Sequence, residues 1–538
     1  MSISTAPPTA PSDEGARTQR SDAPDDDGAG RPVTARLVIG TIVLAAVSLA
    51  TAVLLPPLIG GALLLTVAVL YLARRVVFSW VGGLAILVAV VMFIPARRYA
   101  LPIPLPFALE PYRLILVILL LAIVGALLLD RTRRWQPIAF GWPIGIFFGS
   151  LVVSIPLNGQ SLVEQGLAST AVGALLNFAI LLSAFYVVRQ LLTTEQIVMG
   201  LAAALVWCGV IVAAFALFER VTRVNVFWRL STFLPLDLIA DEGSDFRAGG
   251  YRSYGSSQHP IALSVMLCIL IPIAIYLATY GKRPSNGWSR RIVYGIATAI
   301  LLMGVLAAVS RTAVVVLGVM ILLTLLLRPW LGVTIIALGL PALVLGFLAL
   351  PKVFDTLFAS FLDIESLLES QRTSPGWGGA GRLADLDPAL ELVAIDPFFG
   401  TGVGSRIVVG EERNSFILDN QFLGTLMDTG VVGVIGLVAL LLVPGLMLLR
   451  FAFTTARHAP RYAFLAFALT VSIAGYIAAQ FFYDAFGFYQ TVFVFFFLLA
   501  IGAWLLTASP PALEAAKIRR SAASTRSLAA DSTPKVAA

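Results

Sequence analysis

The chain passes from a polar loop into an apolar helix within DPFFGTGVGSRIVVGEERNSFILDNQFLGTLMDTGVVGVIG, Asp396 to Gly436. This stretch closes a longer region, Pro351 to Leu418, that is mixed in charge and rich in glycine, whereas nearly all of the remaining chain is apolar. Apolar runs that are long enough to cross the hydrocarbon core are expected to form helices in a bilayer. We therefore expect the other helices to form a frame that holds this loop over a cavity at the level of the membrane.

The composition excludes an ordinary soluble domain. Of 538 residues, 59% are hydrophobic and 12% are charged, whereas soluble domains carry about 25% charged residues. The formal charge of +7 is explained by where arginine lies relative to the membrane, so it indicates no nucleic-acid partner. Both cysteines, Cys208 and Cys268, lie in apolar segments, so the sequence predicts neither a disulfide framework nor a Cys/His metal site.

The apolar runs predict an all-α, polytopic membrane bundle of about 14 transmembrane helices, with a large extracytoplasmic loop before the twelfth. Crossing the hydrocarbon core takes about 17 to 25 residues. The predicted segments are 36–55, 57–73, 76–95, 112–129, 137–156, 171–188, 196–218, 260–280, 292–309, 312–328, 330–350, 420–449, 462–483 and 488–507.

These segments divide the chain into five regions. Residues 1–33 form a polar cytoplasmic tail, which we expect to be disordered because it has too little apolar area to fold. Residues 34–350 hold helices 1–11, and residues 351–418 form the large extracytoplasmic loop. Residues 419–507 hold helices 12–14, and residues 508–538 form a basic, disordered cytoplasmic tail.

Arginine and lysine set the orientation. With the N-terminus in the cytoplasm, every inner loop is basic, including Asp130–Arg134 and Lys282–Arg291, while the short outer loop Pro156–Thr170 has no arginine or lysine. Arg97 and Arg98, in another short outer loop, run against the pattern. The sequence therefore predicts a multi-pass membrane protein with both termini in the cytoplasm.

Arg311 lies between two apolar runs, in AVSRTAVVV. Together the runs are about two membrane crossings long, so the Ser310–Arg311 hairpin is expected at or just below the outer surface. A charge at a helix centre costs about 2.5 to 3.5 kcal/mol, and less near the interface. Arg311 therefore needs a partner or a water-filled cavity; snorkelling to headgroup phosphates is the alternative.

A second polar group precedes the segment at 260–280, in DFRAGGYRSYGSSQHPIALSV. Arg247 and Arg252 lie there among glycines, which let the backbone approach a ligand, and the arginine fork suits phosphate oxygens. His259 is the only histidine predicted on the outer face. Because Pro260 follows it, a role at the start of the helix is the alternative to a chemical one.

Three polar residues mark the start of the twelfth segment. Asp419 and Asn420 lie at its outer mouth, and Asp428 lies about two turns deeper, where an ionisable group is costly and hence a functional candidate. Asp is also a favoured helix N-cap, which is the structural alternative for Asp419. Two runs of glycine predict a turn and close helix packing respectively: Gly400, Gly402 and Gly404, and Gly430, Gly433 and Gly436.

In their order along the chain, these blocks resemble the O-antigen ligase and O-antigen polymerase family of membrane glycosyltransferases. The similar blocks span roughly residues 245–440: Arg247–Ala262, Ser310–Arg311, Gly381–Arg382 with Pro397–Gly402, and Asp419–Leu423 with Asp428 and Gly430. Ligases of the family usually have a histidine before the asparagine that matches Asn420, proposed there as the catalytic base. This chain has Asp419 at that position.

The resemblance implies a metal-independent transferase that works without a cofactor in cell-envelope polysaccharide biosynthesis, at the outer face of the bacterial cytoplasmic membrane. Its donor would be a polyprenyl-diphosphate-linked glycan and its acceptor a glycan or a lipid. Arginines would stabilise the departing diphosphate, and Asp419 would accept the proton of the attacking hydroxyl while Asn420 orients the sugar. The catalytic candidates are Asp419, Arg311 and Asn420, and the substrate-binding candidates are Arg247, Arg252, Arg382, Asp428 and His259.

Two other functions fit the composition. A transporter or flippase of polysaccharides or lipid-linked glycans would also use many helices, and an internal pseudo-symmetry around a midplane cavity would favour it. A catalytically silent membrane scaffold would be favoured if Arg311, Arg382 and Asp419 failed to converge. The sequence leaves open polymerase or ligase activity, the sugars, the acceptor and the oligomeric state.

Overall fold

The computed structural model describes residues 79–103, 107–240, 246–247, 250–349, 351–354, 386–405 and 419–508, with positions 357, 365, 510, 515 and 519. All of these lie in the second of two units into which the chain divides, Phe78–Ala538. The predicted segments at 36–55 and 57–73, the N-terminal tail and most of the C-terminal tail lie outside the described residues. So do Arg382 and much of the predicted large loop.

Each of the twelve predicted segments from residue 76 onward coincides with a helix. In chain order the helices are α1 Trp80–Phe93, α2 Pro111–Leu129, α3 Gly141–Leu157, α4 Gly159–Glu164, α5 Ala168–Leu191, α6 Glu195–Thr222, α7 Pro260–Tyr280, α8 Gly287–Ala307, α9 Arg311–Leu327, α10 Pro329–Ala349, α11 Pro351–Phe354, α12 Leu386–Ile395, α13 Gln421–Thr455, α14 Pro460–Ala479 and α15 Tyr489–Thr507.

Among the described residues, nine of these helices are long and apolar enough to cross a membrane, and α1, α3 and α9 are apolar but shorter. The protein is therefore an all-α, multi-pass membrane protein. The total of fourteen helices stays a prediction because its first two members are not described. Helix α12 is a helix of 10 residues that lies in the region before α13.

Successive membrane helices run in opposite directions, so their ends collect at two surfaces. The amide of Gln421, at the start of α13, donates to the carbonyl of Gln480, just after α14, at 2.9 Å. The amide of Tyr489, at the start of α15, donates to Oε1 of Gln258, just before α7, at 2.8 Å. We call the surface defined by these four residues the loop end.

The opposite end of the bundle is marked by an ion pair. Arg461 at the start of α14 lies 2.8 Å from the carboxylate of Glu195 at the start of α6, and the hydroxyl of Tyr462 donates to the same carboxylate at 2.6 Å. The topology predicted from the sequence makes this end cytoplasmic.

The bundle has a buried centre and an exposed rim. In α7, α14 and α15, 83% to 89% of the most apolar stretch is buried, against 22% in α2. Tyr476 of α14 stacks on Phe495 of α15 with ring centroids 4.2 Å apart, and the hydroxyl of Ser472 donates to the carbonyl of Ile269 in α7 at 2.7 Å. Polar groups inside a bilayer must find such internal partners, so these helices form a fixed frame.

Helix α13 is broken at Gly430, where the sequence predicts one continuous segment. Gly430 has φ 63° and ψ −163°, a conformation almost restricted to glycine. Residues 431–455 alone rise about 37 Å at ~1.5 Å per residue, enough for the ~30 Å hydrocarbon core. The two turns before the break, which include Asp428, therefore do not have to lie in the membrane.

The close-packing interpretation is wrong for Gly430 and confirmed for Gly436. A Cβ on Gly436 would lie 2.7 Å from the Cα of Phe147 in α3, so only glycine permits this contact between α3 and α13. Short strands tie the connections of the bundle together. β1 Tyr99–Ala100 pairs antiparallel with β2 Asp237–Leu238, and β3 Phe246–Arg247 pairs antiparallel with β4 Gly250–Tyr251.

Candidate functional site

The hairpin between α8 and α9 carries Arg311, as predicted. Val309 turns the chain with φ 48°, Ser310 occupies the N-cap position of α9 without a side-chain capping bond, and Arg311 is the first residue of the helix. The carbonyl of Ala308 accepts a hydrogen bond from Nε of Arg252 at 3.1 Å, and the amide of Ser253 donates to the preceding carbonyl at 3.2 Å. The structure therefore brings Arg252 onto the hairpin, three residues from Arg311.

Arg311 lies at the positive end of a helix dipole. Helix N-termini attract anions because their first amides lack helical partners. A cation in the first turn is disfavoured by about 0.3 to 1 kcal/mol, whereas an anion would be favoured by both the helix end and the guanidinium. Arg311 is half-buried and Arg252 is 2% exposed. The segment that carries Arg252 thus contacts the hairpin that leads into α9, and guanidinium groups beside a helix N-terminus are chemically suited to an anion.

Glu219 near the end of α6 fixes the segment that carries Arg252. Its carboxylate is fully buried and accepts the amides of Tyr254 and Gly255 at 3.1 and 2.8 Å. Gly255 has φ 55°, and a Cβ there would lie 3.1 Å from Val212 and Leu263. Sequence reasoning missed Glu219, although a carboxylate near the end of an apolar helix is an available signal, because such a group is costly unless it has partners.

Arg98, which runs against the charge pattern of the short loops, is buried. Its guanidinium lies over the ring of Trp228, 4.2 Å from the centroid. Trp228 in turn packs edge-on against Tyr254, with centroids 5.0 Å apart. A cation over an aromatic face is stabilised by the ring quadrupole, so Arg98 has a structural reason to lie at this end of the bundle.

His259 is the N-cap of α7, with Pro260 in the first turn. Its Nδ1 accepts the amide of Ile261 at 3.2 Å, and its ring packs against Tyr254 and Phe488 at centroid distances of 6.2 and 5.7 Å. The role at the start of the helix, given as the alternative from the sequence, is confirmed.

Gln490 joins three parts of the loop end and was not predicted. Its Nε2 donates to the carbonyls of Val91 and Met92 at 3.1 Å each and to the hydroxyl of Ser256 at 2.8 Å. Its Oε1 accepts the hydroxyl of Ser257. One buried side-chain amide therefore connects the end of α1, the segment before α7 and the start of α15. The sequence did not predict this role, because a single glutamine near the start of an apolar segment forms no recognisable pattern.

The start of α13 corrects one interpretation of Asp419. The N-cap is Asn420, whose Oδ1 accepts the amide of Leu423 at 3.1 Å. Asp419 is half-buried and directly precedes the cap. Gln421 joins this helix start to the segment between α14 and α15, because its Oε1 accepts the amide of Phe486 at 2.8 Å. The N-cap alternative for Asp419 is wrong, and capping occupies the side-chain oxygen of Asn420.

The break in α13 is filled by the preceding loop. Residues 396–402 and 427–432, which we call the clasp, are joined by four backbone hydrogen bonds. The bonds join the Thr401 amide to Met427 O (2.8 Å), the Gly402 amide to Asp428 O (3.1 Å), the Val431 amide to Pro397 O (2.9 Å) and the Val432 amide to Phe398 O (3.2 Å). The groups freed by the break are thereby satisfied.

Glycine is required on both sides of the clasp. A Cβ on Gly430 would lie 2.2 Å from the carbonyl carbon of Phe398, and a Cβ on Gly400, which has φ 70°, would lie 2.5 Å from the carbonyl oxygen of Met427. Gly400, Gly402 and Gly404 all have positive φ, which confirms the predicted turn. Asp428 is half-buried and lies in the clasp, two residues before the break in α13.

Helices α3 and α5 hold the clasp from the other side. Nδ2 of Asn158, at the end of α3, donates to the carbonyl of Gly400 at 2.9 Å. A Cβ on Gly404 would lie 3.1 Å from the Cα of Ala171 in α5. The loop before α13 is therefore fixed to the frame along residues 400–404.

The predicted site residues gather at the loop end to different degrees. Arg252 contacts the Ala308 carbonyl, in the hairpin that carries Arg311, and His259, Asp419 and Asn420 lie at the starts of helices on the same surface. Arg247 lies in β3, where its backbone pairs with Gly250; its side chain and all of Arg382 lie outside the described residues.

The geometry can be set beside known proteins. The family described as O-antigen ligase matches residues 296–438. The chain carries an O-antigen ligase domain. The match runs from within α8 to within α13, so it includes Arg311, Asp419 and the clasp, while Arg252 and His259 precede it. No curated protein matches the chain significantly. The O-antigen ligase domain, on a bundle of membrane-spanning helices, supports a membrane glycosyltransferase-like role in polysaccharide biosynthesis.

Proposed function

We propose that the protein transfers or polymerises polyprenyl-diphosphate-linked glycans at the outer face of the bacterial cytoplasmic membrane. The observation that supports the proposal is the contact between Arg252 and the Ala308 carbonyl, three residues before Arg311 at the start of α9. This surface also carries the start of α13, within the O-antigen ligase domain.

The arginines would act on the leaving group. As the anomeric carbon–oxygen bond breaks, negative charge develops on the lipid diphosphate. Groups arranged in advance around that charge lower the barrier because they do not have to reorganise during the reaction. Hydrogen bonds to charged groups contribute about 1.5 to 3 kcal/mol each. Arg311, Arg252 and the first amides of α9 would supply them, with Arg247 and Arg382 as further candidates.

Asp419 would act on the acceptor. A sugar hydroxyl attacks the anomeric carbon, its oxygen forms the new glycosidic bond, and its proton passes to the Asp419 carboxylate. Because Asn420 caps α13 through its side-chain oxygen, its amide nitrogen is the group that would orient the acceptor. Asp428 would bind substrate from the clasp. In this proposal neither a metal nor a nucleotide takes part, so transfer is expected to continue in the presence of a chelator.

The test is transfer by purified full-length protein in lipid vesicles, with an undecaprenyl-diphosphate-linked glycan donor and a glycan acceptor. Wild-type protein should release lipid diphosphate and extend or modify the acceptor. Arg252→Ala and Arg311→Ala should each lose most of this activity, while Arg229→Ala, an exposed arginine at the same end, should retain it. Equal activity in all three variants would contradict an arginine-bound diphosphate.

The glycan profile of a deletion strain separates the two reactions. Single repeats without longer chains indicate a polymerase, and full-length chains left on the lipid carrier indicate a ligase. A transporter would instead leave donor lipid on the inner face of the membrane, and a scaffold would leave the purified protein inactive. The convergence of Arg311, Arg382 and Asp419 that separates a scaffold from an enzyme is not tested, because Arg382 is not described.

A further inference from the structure

A cavity lies at the opposite end of the bundle, between α2, α5 and the segment that links α2 to α3. Its volume is about 430 Å³, within the range of about 300 to 1,000 Å³ typical of small-molecule sites. Its lining combines two arginines, Arg133 and Arg134, with uncharged polar side chains and two apolar residues of α2, Ile123 and Leu127. No carboxylate lines it among the described residues.

The polar wall of the cavity is held in place by its own hydrogen bonds. The amide of Gln136 donates to Oε1 of Gln190 at 2.8 Å, and Nε2 of Gln190 returns a bond to the Gln136 carbonyl at 3.0 Å. Gln190 is buried in the last turn of α5. This reciprocal pair fixes the linking segment against the frame, so the shape of the cavity does not depend on a free loop.

Asp130 lies beside the cavity but is engaged elsewhere. Its Oδ1 accepts both the hydroxyl and the amide of Thr132, at 2.6 and 3.0 Å. These bonds hold the pKa of Asp130 below its ordinary value. The carboxylate therefore anchors Thr132 in the cavity wall, and the segment from Asp130 to Arg134 still has three arginines against one acid.

The two arginines of the cavity are presented differently. The guanidinium of Arg133 lies over the ring of Trp80, 4.4 Å from the centroid. Stacking uses the face of the guanidinium, and its N–H groups lie in its plane, so they remain directed along the edge of the ring. Arg134 is exposed at the rim. Two cations, one held against an aromatic ring and one exposed, suit a phosphate group.

The surroundings of the cavity are apolar on the membrane side. Leu121, Leu128 and Leu129 of α2 are 65%, 78% and 88% exposed, as expected of a helix face in contact with acyl chains. Trp80 and Trp135 flank the arginines, and tryptophan is enriched at the boundary between headgroups and hydrocarbon. A ligand at this position would have an anionic head in the cavity and hydrocarbon tails along α2.

We propose that this cavity binds the headgroup of an anionic glycerophospholipid, with its acyl chains on the exposed leucine face of α2. Basic pockets between membrane helices on the cytoplasmic side are established binding sites for such headgroups. The topology predicted from the sequence puts this end of the bundle on the cytoplasmic side. The site is independent of the proposed transfer reaction, because it lies at the other end of the helices from Arg311 and Asp419.

The test uses full-length protein in phosphatidylcholine nanodiscs with increasing phosphatidylglycerol, and follows bound lipid by native mass spectrometry and thermal stability by Tm. Arg134→Gln should weaken phosphatidylglycerol binding about fivefold, and Arg133→Gln with Arg134→Gln about 25-fold, from the usual contribution of a basic residue near an anionic surface. Arg131→Gln, an exposed neighbour that does not line the cavity, should change binding less than twofold.

Three outcomes would overturn the proposal. One is binding by the double variant that equals wild type, and another is a loss in Arg131→Gln that equals the loss in Arg134→Gln, which would indicate diffuse surface charge. The third is equal stabilisation by soluble glycerol phosphate at the same concentration, which would indicate a free-anion site. Arg134→Gln alone keeps the test valid if loss of the Arg133–Trp80 contact impairs folding.

Discussion

Replacing Gly430 by alanine tests whether the clasp exists as described. The backbone at Gly430, with φ 63° and ψ −163°, costs a residue with a side chain about 1 to 3 kcal/mol. The added Cβ would also lie 2.2 to 2.5 Å from backbone atoms of Phe398 and Phe399. Since backbone atoms cannot rotate away, the loop must separate from α13 by about 1 Å to restore ordinary contact.

The separation of the loop from α13 determines how much free energy the docked loop loses in Gly430→Ala. The two nearest bonds, from the Val431 and Val432 amides, are 2.9 and 3.2 Å long, and a further ~1 Å takes both beyond the ~3.2 Å limit of a normal N–H···O bond. Each contributes about 1 kcal/mol. With the backbone cost, the docked loop loses about 3 to 5 kcal/mol, a factor of about 10² to 5 × 10³ in population. The entropy gained on release is the same in both proteins and cancels in the comparison.

The measurement is hydrogen–deuterium exchange of the Val431 and Val432 amides in purified protein, which does not depend on knowing the substrate. Exchange there should rise by about 10² to 5 × 10³ in Gly430→Ala, and glycan transfer should fall with it. Gly445→Ala is the control in the same helix, because its Cβ would meet only Ile473, at 3.4 Å. Exchange in Gly430→Ala within threefold of wild type would show that the loop does not dock into the break.

Four further predictions concern single positions. Arg311→Lys should lose most transfer activity at normal expression, because lysine cannot present a planar fork to two phosphate oxygens; full activity would remove Arg311 from the site. Asp419→Asn should abolish transfer while membrane insertion stays normal, and wild-type rates would send the search for a base to Asp428. Gln490→Leu should lower Tm, since it leaves buried partners unsatisfied at about 1 to 3 kcal/mol each; an unchanged Tm would contradict its joining role. A cysteine placed at position 410 should be labelled from outside the cell, and labelling only after permeabilisation would invert the topology.

The helices were predictable because the bilayer constrains them strongly. A span must be about 20 residues long and apolar throughout, so Pro260–Tyr280 and Tyr489–Thr507 follow almost directly from runs in the sequence. The direction of each predicted span follows from the preceding one, because successive spans cross the membrane in opposite directions. The hairpin at Arg311 was predictable for the same reason, since two runs that each fill one crossing leave the residue between them at a surface.

The contacts that assemble the site were not predictable, because they join residues far apart in the chain through groups without a local pattern. Gln490 reaches the carbonyls of Val91 and Met92, about 400 positions earlier. The clasp depends on backbone atoms, which the sequence marks only by glycine, and glycine in an apolar helix more often indicates close packing. Glu219 had a detectable signal, because a carboxylate in an apolar segment is energetically costly. The amides that it accepts, of Tyr254 and Gly255, lie 35 and 36 positions later in the sequence.

The start of α13 changes what a substitution at Asp419 can reveal. From sequence alone, loss of activity in Asp419→Asn has two explanations, because aspartate is a favoured cap and a possible base. In the structure Asn420 is the cap and accepts the Leu423 amide at 3.1 Å, so the capping bond of α13 is not made by Asp419. Asn420→Ala should therefore cost about 1 kcal/mol of stability, while Asp419→Asn keeps this cap, and its Tm is measured beside its transfer rate. An effect on transfer without an effect on Tm then belongs to the carboxylate itself.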